Sequence, residues 1–281
     1  MTKFAFRIVD VFAAIPFAGN PLAVVTTPEE LDAGLMQRIT RWLNFSETVF
    51  LLPPTDEGAD YRVRIFTPAR ELPFAGHPTL GTCHAWLEAG GVPRDDKVVV
   101  QQCDAGLVRV RHGGEALAFA APPTIRSGPV SDEELREIVE VLRISVEDVV
   151  SARWVDNGPG WVAVRLASAQ TVLAVDAVRS YPKVIDIGVF GLHPAGHPSA
   201  YEIRAFFSDP LGGVVEDPVC GSLNASVAQW LVGEGVVSAP YQVSQGSRVQ
   251  CDGRILIDQD GEGQIWVGGH TITRFSGTAE I

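Results

Sequence analysis

Two short turns of the chain carry side chains that could exchange protons or bind anions. The first runs from Glu71 to Pro78 (ELPFAGHP), and the second runs from Glu216 to Ser222 (EDPVCGS). Their glutamates, prolines and glycines are each 145 positions apart (216 − 71, 218 − 73, 221 − 76), so three identities share one offset. Imidazole, carboxyl and hydroxyl groups in such turns can donate or accept a proton. The spacing predicts a duplicated unit with polar chemistry in each copy.

The elements that must position these turns repeat as well. Tyr61 to Phe66 (YRVRIF) matches Tyr201 to Phe206 (YEIRAF) at an offset of 140 (201 − 61), and each copy continues through its turn into an apolar helix. A glycine just before a helix leaves the first backbone N–H groups uncovered, and the helix dipole adds partial positive charge there. Each turn is therefore expected to favour an anion such as a carboxylate. Either turn taken alone is better interpreted as a plain connection, and only the repetition favours a site.

Polar side chains extend this interpretation. His77 lies in the first turn, and Asp217 and Ser222 lie in the second. Glu47 stands at the start of a strand predicted over residues 46–52. It is either a solvated carboxylate at a strand end or a partly desolvated carboxyl group whose raised pKa would suit it to moving protons. The segment itself does not decide between the two.

Composition and charge argue against several classes of protein. The chain has 281 residues and a formal net charge of −12, without a cluster of Lys and Arg that could neutralise nucleic-acid phosphates. No apolar run approaches the roughly 18 residues of a membrane span. Four cysteines without a CxxC pair indicate reduced thiols and a cytoplasmic location. Glycine-rich phosphate loops are absent, and His77 and His84 lack a third ligand at suitable spacing, so neither a nucleotide cofactor nor a metal is expected.

The pattern of apolar and turn residues predicts an α+β fold. Residues 4–12 alternate as a strand, and residues 27–30 (TPEE) have the form of a capping box that would start the first helix. Residues 131–134 (SDEE) predict another helix start, and residues 171–175 are predicted as a strand. Most other segments are short, mostly antiparallel strands, with one helix in each half that is apolar on most sides.

Several motifs resemble the PhzF (phenazine-biosynthesis) family. They occur in the family's order and reach the terminal segment VGG, so the resemblance covers nearly the whole chain. The motifs are Gly19-Asn20-Pro21, Asn44-Phe45-Ser46-Glu47-Thr48, Phe66-Thr67-Pro68, Glu71 to Pro78, Glu216-Asp217-Pro218, Gly221-Ser222 and Val267-Gly268-Gly269.

The resemblance implies an architecture. Two pseudo-symmetric halves are expected, each a curled, mostly antiparallel sheet or barrel around a central helix, as in diaminopimelate epimerase. We place them at residues 1–125, joined by about 271–281, and at residues 126–270. The resemblance also implies an active site in the cleft between the halves and a homodimer.

The resemblance implies a chemistry too. The founding activity of the family is the cofactor-free isomerisation of trans-2,3-dihydro-3-hydroxyanthranilate, a small carboxylic acid. Glu47 resembles the residue that removes a proton and returns it elsewhere on the ring. Such a glutamate would need its ordinary pKa of about 4.3 raised by an apolar enclosure, or by a second carboxylate such as Asp217. The leading hypothesis is therefore a cytoplasmic isomerase that works by general acid and base catalysis without a cofactor.

The remaining site residues also follow from the resemblance. They either contact the substrate, hold its carboxylate through backbone N–H groups or shape the site. The side-chain contacts are His77, Asp217 and Ser222, the backbone donors are Gly76, Gly221 and Ser222, and the shaping residue is Asn20.

Two alternatives stay open. Related epimerases and racemases use two thiols, one on each turn, and Cys220 occupies the second turn here. The offset places Ala75 at the first turn (220 − 145), so an amino-acid epimerase would have to pair Cys220 with Glu47, and a buried cysteine packed as a small apolar residue is simpler. The other alternative is a protein that binds small carboxylates without catalysis. Glu71 and Glu216 are expected to be structural, tying down amides of the turns.

Overall fold

The chain divides into two compact units. The computed structural model describes residues 2–13 and 15–281. Unit 1 contains Met1–Ala120 and Gly268–Ile281, and unit 2 contains Ala121–Val267. The divisions differ by a few residues from those expected, because the Ala121 N–H bonds to the Ile265 carbonyl within unit 2, and the His270 carbonyl accepts from Phe12 within unit 1.

The first stretch of unit 1 forms strands around one long buried helix. Its elements are β1 (Lys3–Val11), β2 (Asn20–Thr26), α1 (Ala33–Leu43), β3 (Thr48–Leu52), β4 (Tyr61–Phe66), β5 (Glu71–Leu72), α2 (Gly76–Glu88), β6 (Val98–Cys103), β7 (Gly106–Arg111) and β8 (Leu117–Ala120). Strand β2 pairs in parallel with β3, β3 antiparallel with β4, β4 in parallel with β6, and β6 antiparallel with β7.

Unit 2 has a comparable set of elements, followed by the last strand of the chain. They are β9 (Arg126–Pro129), α3 (Asp132–Leu142), β10 (Val149–Asp156), β11 (Val162–Leu166), α4 (Ala169–Ala174), β12 (Asp186–Leu192), β13 (Tyr201–Ser208), β14 (Val214–Asp217), α5 (Gly221–Gly233), β15 (Tyr241–Gln245), β16 (Gly253–Gln259), β17 (Ile265–Gly269) and β18 (Thr271–Glu280). Strand β18 belongs to unit 1 and pairs antiparallel with β1.

The two units repeat one order of strand pairing. In unit 2, β11 pairs in parallel with β12, β12 antiparallel with β13, β13 in parallel with β15, and β15 antiparallel with β16. This order matches the series β2, β3, β4, β6 and β7 of unit 1, with the short strands β5 and β14 on β4 and β13. The predicted duplication of a strand-turn-helix unit therefore has a counterpart in the topology.

Helices α2 and α5 are the central helices of their units. Each has nine buried residues among its 13, whereas α1 buries only Met36 and Thr40. Glycines allow close packing against them: a Cβ at Gly81 of α2 would lie 2.5 Å from a methyl carbon of Leu22, and one at Gly188 of β12 would lie 2.4 Å from a methyl carbon of Leu223. A helix buried on most sides can place its first turn inside the protein. Hydrogen bonds made by polar groups there are stronger than in water, because the local dielectric constant is low.

Two local predictions were wrong and one is confirmed. The capping box at residues 27–30 does not start a helix, because α1 begins after Asp32, whose carboxylate accepts the N–H of Leu35. Residues 171–175, predicted as a strand, lie mostly in α4, which Ser168 caps. A short apolar run does not distinguish a strand from a helix. The capping box of Ser131 and Glu134 is present at the start of α3. Among the described helices, none is long and apolar enough to cross a membrane.

Candidate active site

Glu47 and His77 are in direct contact within unit 1. Glu47 lies between the end of α1 and the start of β3, and His77 is the second residue of α2. The distance from Glu47 Oε2 to His77 Nδ1 is 3.0 Å. The His77 side chain is 3% exposed and that of Glu47 is 15% exposed, so the contact is largely shielded from water. Residues 30 positions apart are thus held as one polar pair by the folding of α2 against β3.

The other ring nitrogen of His77 has a backbone partner that fixes the orientation of the ring. His77 Nε2 lies 3.1 Å from the backbone carbonyl oxygen of Asn20. A carbonyl oxygen only accepts hydrogen bonds, so Nε2 must carry a proton. Nδ1, the other ring nitrogen, then faces the Glu47 carboxyl group at hydrogen-bonding distance. The Asn20 carbonyl and the Glu47 carboxyl group therefore hold the imidazole ring from its two sides.

A buried aspartate, Asp10, holds the loop that precedes Asn20. Asn20 is the first residue of β2 and is fully buried. Just before it, the N–H groups of Phe17 and Gly19 donate to the two carboxylate oxygens of Asp10, at 2.7 and 2.9 Å. Asp10 is itself only 4% exposed and lies 3.4 Å from the Arg274 guanidinium. This loop sets the position of the Asn20 carbonyl, and with it the orientation of the His77 ring.

The starts of α2 and α5 differ from those of the other described helices. Side chains of Asp32, Ser131 and Ser168 cap α1, α3 and α4. The residues at the corresponding positions of α2 and α5 are Ala75 and Cys220, and neither makes a side-chain capping bond. First-turn N–H groups lack partners within the helix itself, and no capping side chain uses them here. Both helix starts are buried, so water screens their partial positive charge less than it would at the surface.

Ser222, the second residue of α5, is held by a loop of unit 2. Its hydroxyl oxygen accepts the indole N–H of Trp161 at 2.9 Å, and its backbone carbonyl accepts Asn157 Nδ2 at 3.0 Å. All three residues are buried, at 7%, 4% and 6% exposure. Because the oxygen already accepts from the indole, the Ser222 hydroxyl can donate its own proton, either to the nearby Cys220 sulfur or to a ligand. The arrangement suits a hydroxyl that donates to an anion.

Asp217, Gly221 and Cys220 surround the same helix start. Asp217 ends β14, and its backbone carbonyl accepts Gln245 Nε2 at 3.2 Å. Gly221 is the first residue of α5 and is buried. The Cys220 thiol is 5% exposed, and its sulfur lies 3.5 Å from Ser222 Oγ. This burial agrees with the interpretation of Cys220 as a packed thiol.

The repeated glutamates bind arginine side chains rather than turn amides. Glu71 accepts two hydrogen bonds from Arg64, at 2.7 and 2.6 Å. Glu216 accepts two from Arg204, at 2.9 and 2.7 Å. In each unit the arginine comes from the strand before the turn, so the carboxylate braces the turn against that strand. The structural role expected of both residues is supported, but its partner was not anticipated.

The site residues expected from the sequence fall into two groups. Asn20, Glu47, Gly76 and His77 lie together in unit 1, whereas Asp217, Gly221 and Ser222 lie together in unit 2. Sequence reasoning missed Asp10, Asn157 and Trp161. The turn-forming run NGPG at 157–160 was the available signal for the last two.

The described residues contain no group of side chains that could bind a metal ion. Within 2–13 and 15–281, no three His, Cys, Asp or Glu side chains are grouped to hold a metal ion. His84 does not share the partners of His77, because its Nδ1 lies 3.1 Å from the Thr271 hydroxyl. Burial lowers the pKa of His84.

Comparison with known proteins gives matches over the whole chain. The family model described as phenazine biosynthesis-like protein (PhzC-PhzF) matches residues 9–277. The Schizosaccharomyces pombe protein named antisense-enhancing sequence 1 is 35% identical over 302 residues that cover 100% of both chains. The trans-2,3-dihydro-3-hydroxyanthranilate isomerase of Pseudomonas fluorescens is 31% identical, covering 97% of this chain and 98% of its own.

A solved structure matches the fold. The crystal structure of a PhzF-family phenazine biosynthesis protein from Bacillus anthracis has a TM-score of 0.83 and 23% sequence identity, with 100% of each chain covered. The predicted α+β fold, with epimerase-like halves each built around a central helix, is confirmed.

Proposed function

Because this chain belongs to the PhzC-PhzF family of isomerases, we propose that it moves a proton within a small carboxylic acid and that Glu47 carries that proton. The observation that supports this most is the contact between Glu47 and His77, in which the Asn20 carbonyl fixes the proton on the far side of the ring. One group must act first as base and then as acid to shift a proton within one molecule. A carboxyl group held 3.0 Å from an imidazole nitrogen and largely shielded from water is placed to take this role.

The proposed reaction is a balanced isomerisation. The Glu47 carboxylate takes a proton from one carbon of the substrate, and the electron pair of that C–H bond enters the conjugated system. Glu47 then returns a proton to another carbon, where the electron pair forms the new C–H bond. No net oxidation occurs, and no cofactor is needed for the electron balance. His77 orients the carboxyl group and supports its change of charge during the transfer.

Each uncapped helix start is proposed to bind an anion such as a substrate carboxylate. In unit 1 the proposed donor is the backbone N–H of Gly76, at the start of α2. In unit 2 the proposed donors are the backbone N–H groups of Gly221 and Ser222, at the start of α5. The absence of capping side chains there supports this assignment, since an anion would take the place of a cap. Asp217 is proposed to orient a polar group of the substrate, as the family resemblance implies.

Replacement of Glu47 by glutamine tests the role of the carboxyl group. The amide keeps the shape and removes the acid, so turnover of trans-2,3-dihydro-3-hydroxyanthranilate, the compound in the name of the P. fluorescens relative, is expected to fall by roughly 10² to 10⁴-fold. Turnover and deuterium incorporation from D2O can be followed by proton NMR. The exposed Glu57→Gln is a matched control that should keep full activity.

The outcomes of this experiment are distinct. Undiminished turnover by Glu47→Gln would remove Glu47 from the mechanism. A wild-type protein that binds the compound but neither converts it nor exchanges its protons would instead support the binding-protein alternative. Exchange that persists in Glu47→Gln and disappears in Cys220→Ser would favour the thiol.

A further inference from the structure

In both uncapped helices, a side chain of the first turn donates a hydrogen bond to the backbone carbonyl of the residue just before the helix. In α2, the Thr79 hydroxyl donates to the backbone carbonyl of Ala75 at 2.8 Å. In α5, Asn224 Nδ2 donates to the carbonyl of Cys220 at 2.9 Å. Thr79 and Asn224 are 145 positions apart (224 − 79), the offset of the turns, and both are fully buried. The side chain at the fourth helical position thus holds the residue just before the helix in both units.

A buried glutamine completes this arrangement in unit 1. Gln101 of β6 donates from Nε2 to the Thr79 hydroxyl oxygen at 2.9 Å, and its Oε1 accepts the Tyr61 hydroxyl at 3.2 Å. Gln101 is fully buried and Tyr61 is 1% exposed. Both polar ends of the amide are therefore paired, as a group in this environment must be.

An equivalent glutamine is present in unit 2. Gln245 of β15 accepts at Oε1 from Asn224 Nδ2 at 2.9 Å and from the backbone N–H of Cys220 at 3.1 Å. Its Nε2 donates to the Asp217 carbonyl. Gln245 is 1% exposed, and it follows Gln101 by 144 positions (245 − 101). The strands that carry the two glutamines, β6 and β15, pair in parallel with the equivalent strands β4 and β13.

We propose that Thr79 with Gln101, and Asn224 with Gln245, are positioning residues that set the anion-binding starts of α2 and α5. We call the two pairs the helix-start clamps. An ordinary capping side chain accepts from the first-turn N–H groups and so occupies them. The clamps hold the residue before the helix instead, so the turn is fixed while its first N–H groups remain available to a carboxylate. This inference rests on the proposed function, because it assigns those N–H groups to the substrate.

Because the clamp residues are buried, replacing one of them is expected to weaken ligand binding. Removing one member leaves a buried partner without its hydrogen bond, and the local structure must shift to satisfy it. Displacement of a binding group by about 1 Å weakens its interactions strongly. A loss of packing alone would lower stability without this directional effect on the N–H groups.

The least disruptive test replaces Thr79. Thr79→Val keeps the volume and removes the hydroxyl, whereas Thr79→Ser keeps the hydroxyl and removes a methyl group. Calorimetry with anthranilate, a stable aromatic acid, should show about tenfold weaker binding by Thr79→Val and near wild-type binding by Thr79→Ser. A role in packing alone predicts the reverse order, or equal effects of the two changes.

Matched glutamine variants test the second member of each clamp. Gln101→Leu is compared with Gln102→Leu, whose side chain binds Thr55 and Asp56 at a partly exposed position. Gln245→Leu is compared with Gln242→Leu on the same strand. We expect anthranilate binding to weaken about tenfold in the two clamp variants and to remain within twofold of wild type in the two controls.

Backbone NMR separates failure of this inference from failure of the proposed function. The amide resonances of Gly76 and Gly221 report the geometry of the helix starts without any ligand. They should shift in Gln101→Leu and Gln245→Leu, respectively, and stay in place in the controls. Unchanged resonances in folded clamp variants would overturn the clamps. Shifted resonances in a protein whose wild type does not bind anthranilate would support the clamps and count against the assigned anion site.

Discussion

The starts of α2 and α5 have the same framework but present different chemical groups. His77 and Ser222 occupy the same position in the repeat (77 + 145 = 222), each as the second residue of its helix. His77 contacts the Glu47 carboxyl group, whereas Ser222 accepts a hydrogen bond from the Trp161 indole. Duplication has therefore preserved an uncapped, buried helix start and varied the side chain it carries. A titratable pair lies in one copy, and a neutral hydroxyl lies in the other.

The same contrast appears in the arginine–glutamate pairs that brace the turns. Arg204 and Glu216 in unit 2 are 6% and 9% exposed. Arg64 and Glu71 in unit 1 are 18% and 36% exposed, and Arg64 also pairs with Glu30. Both pairs are bidentate, so their geometry is alike and their solvation differs. Solvation decides how much an ion pair contributes to stability. Water screens an exposed pair, whereas a buried charge that loses its partner is not stabilised by water.

The largest effect expected is from removing the buried arginine. Arg204→Met leaves the Glu216 carboxylate buried and unpaired, and should lower the free energy of unfolding by about 3–5 kcal/mol. Arg64→Met, the matched variant in unit 1, should lower it by about 1 kcal/mol or less because solvent reaches that pair. Urea denaturation followed by circular dichroism measures both. Equal losses would show that burial does not distinguish the two copies.

The next effect concerns the residue that holds Ser222. Trp161→Phe keeps an aromatic ring and removes the N–H that binds the Ser222 hydroxyl. A neutral hydrogen bond of this kind contributes about 1 kcal/mol, so anthranilate binding should weaken about fivefold. Trp230→Phe is the control. The Trp230 indole nitrogen has no hydrogen-bond partner among the described residues, and Trp230 follows Ser222 by eight positions in α5. If the two variants bind alike, Trp161 does not act through its hydrogen bond.

The smallest effect expected is a pH dependence found in only one copy. Arg62 of unit 1 corresponds to Glu202 of unit 2 (62 + 140 = 202), and Glu202 is 4% exposed. Burial raises the pKa of Glu202 above its ordinary value of 4.5, although Ser244 donates to it. A raised pKa in the folded state means that the stability contributed by this group is present below pH 4.5 and is lost as the pH rises through the folded-state pKa.

Glu202→Gln should therefore match the wild type in acid and exceed its stability near neutral pH. Melting temperatures between about pH 4 and 8 test this, with the exposed Glu262→Gln as control. The groups that act on Glu202 are Ser244, Ser247, His193, Arg204 and Arg254. A constant difference between variant and wild type across the range would contradict the assignment of this titration to Glu202.

Short sequence patterns predicted a helix start correctly where only neighbouring residues determine it. The capping box of Ser131 and Glu134 needs only residues three positions apart, and it forms as predicted. Residues 27–30 have the same pattern, but the Glu30 carboxylate instead binds Arg62 and Arg64 of β4, and the helix starts later. That competition is between distant parts of the chain, so no window of neighbouring residues contains it.

The site shows the same limit. The resemblance singled out Glu47 and His77, yet their contact through Nδ1 and the role of the Asn20 carbonyl depend on the packing of α2 against β2 and β3. Gln101 and Gln245 carry a nearly constant offset that comparison of the two halves could have detected. A lone glutamine in an alternating strand, however, gives no local sign that it is buried and bonded.

The return of β18 to unit 1 has a consequence for how the protein is made. Register pairs run from Lys3 with Glu280 to Val11 with Thr271, so β1 is synthesised long before its partner strand β18. Unit 2 is contiguous in the chain and can complete its contacts while unit 1 still lacks a strand. The contacts of unit 2 therefore do not depend on β18, whereas unit 1 cannot complete its sheet without that strand, so folding in strict N-terminal order is not expected. A purified chain truncated after residue 270 should therefore keep unit 2 resistant to protease, while β1, without its β18 partner, is cleaved more readily than in the full chain.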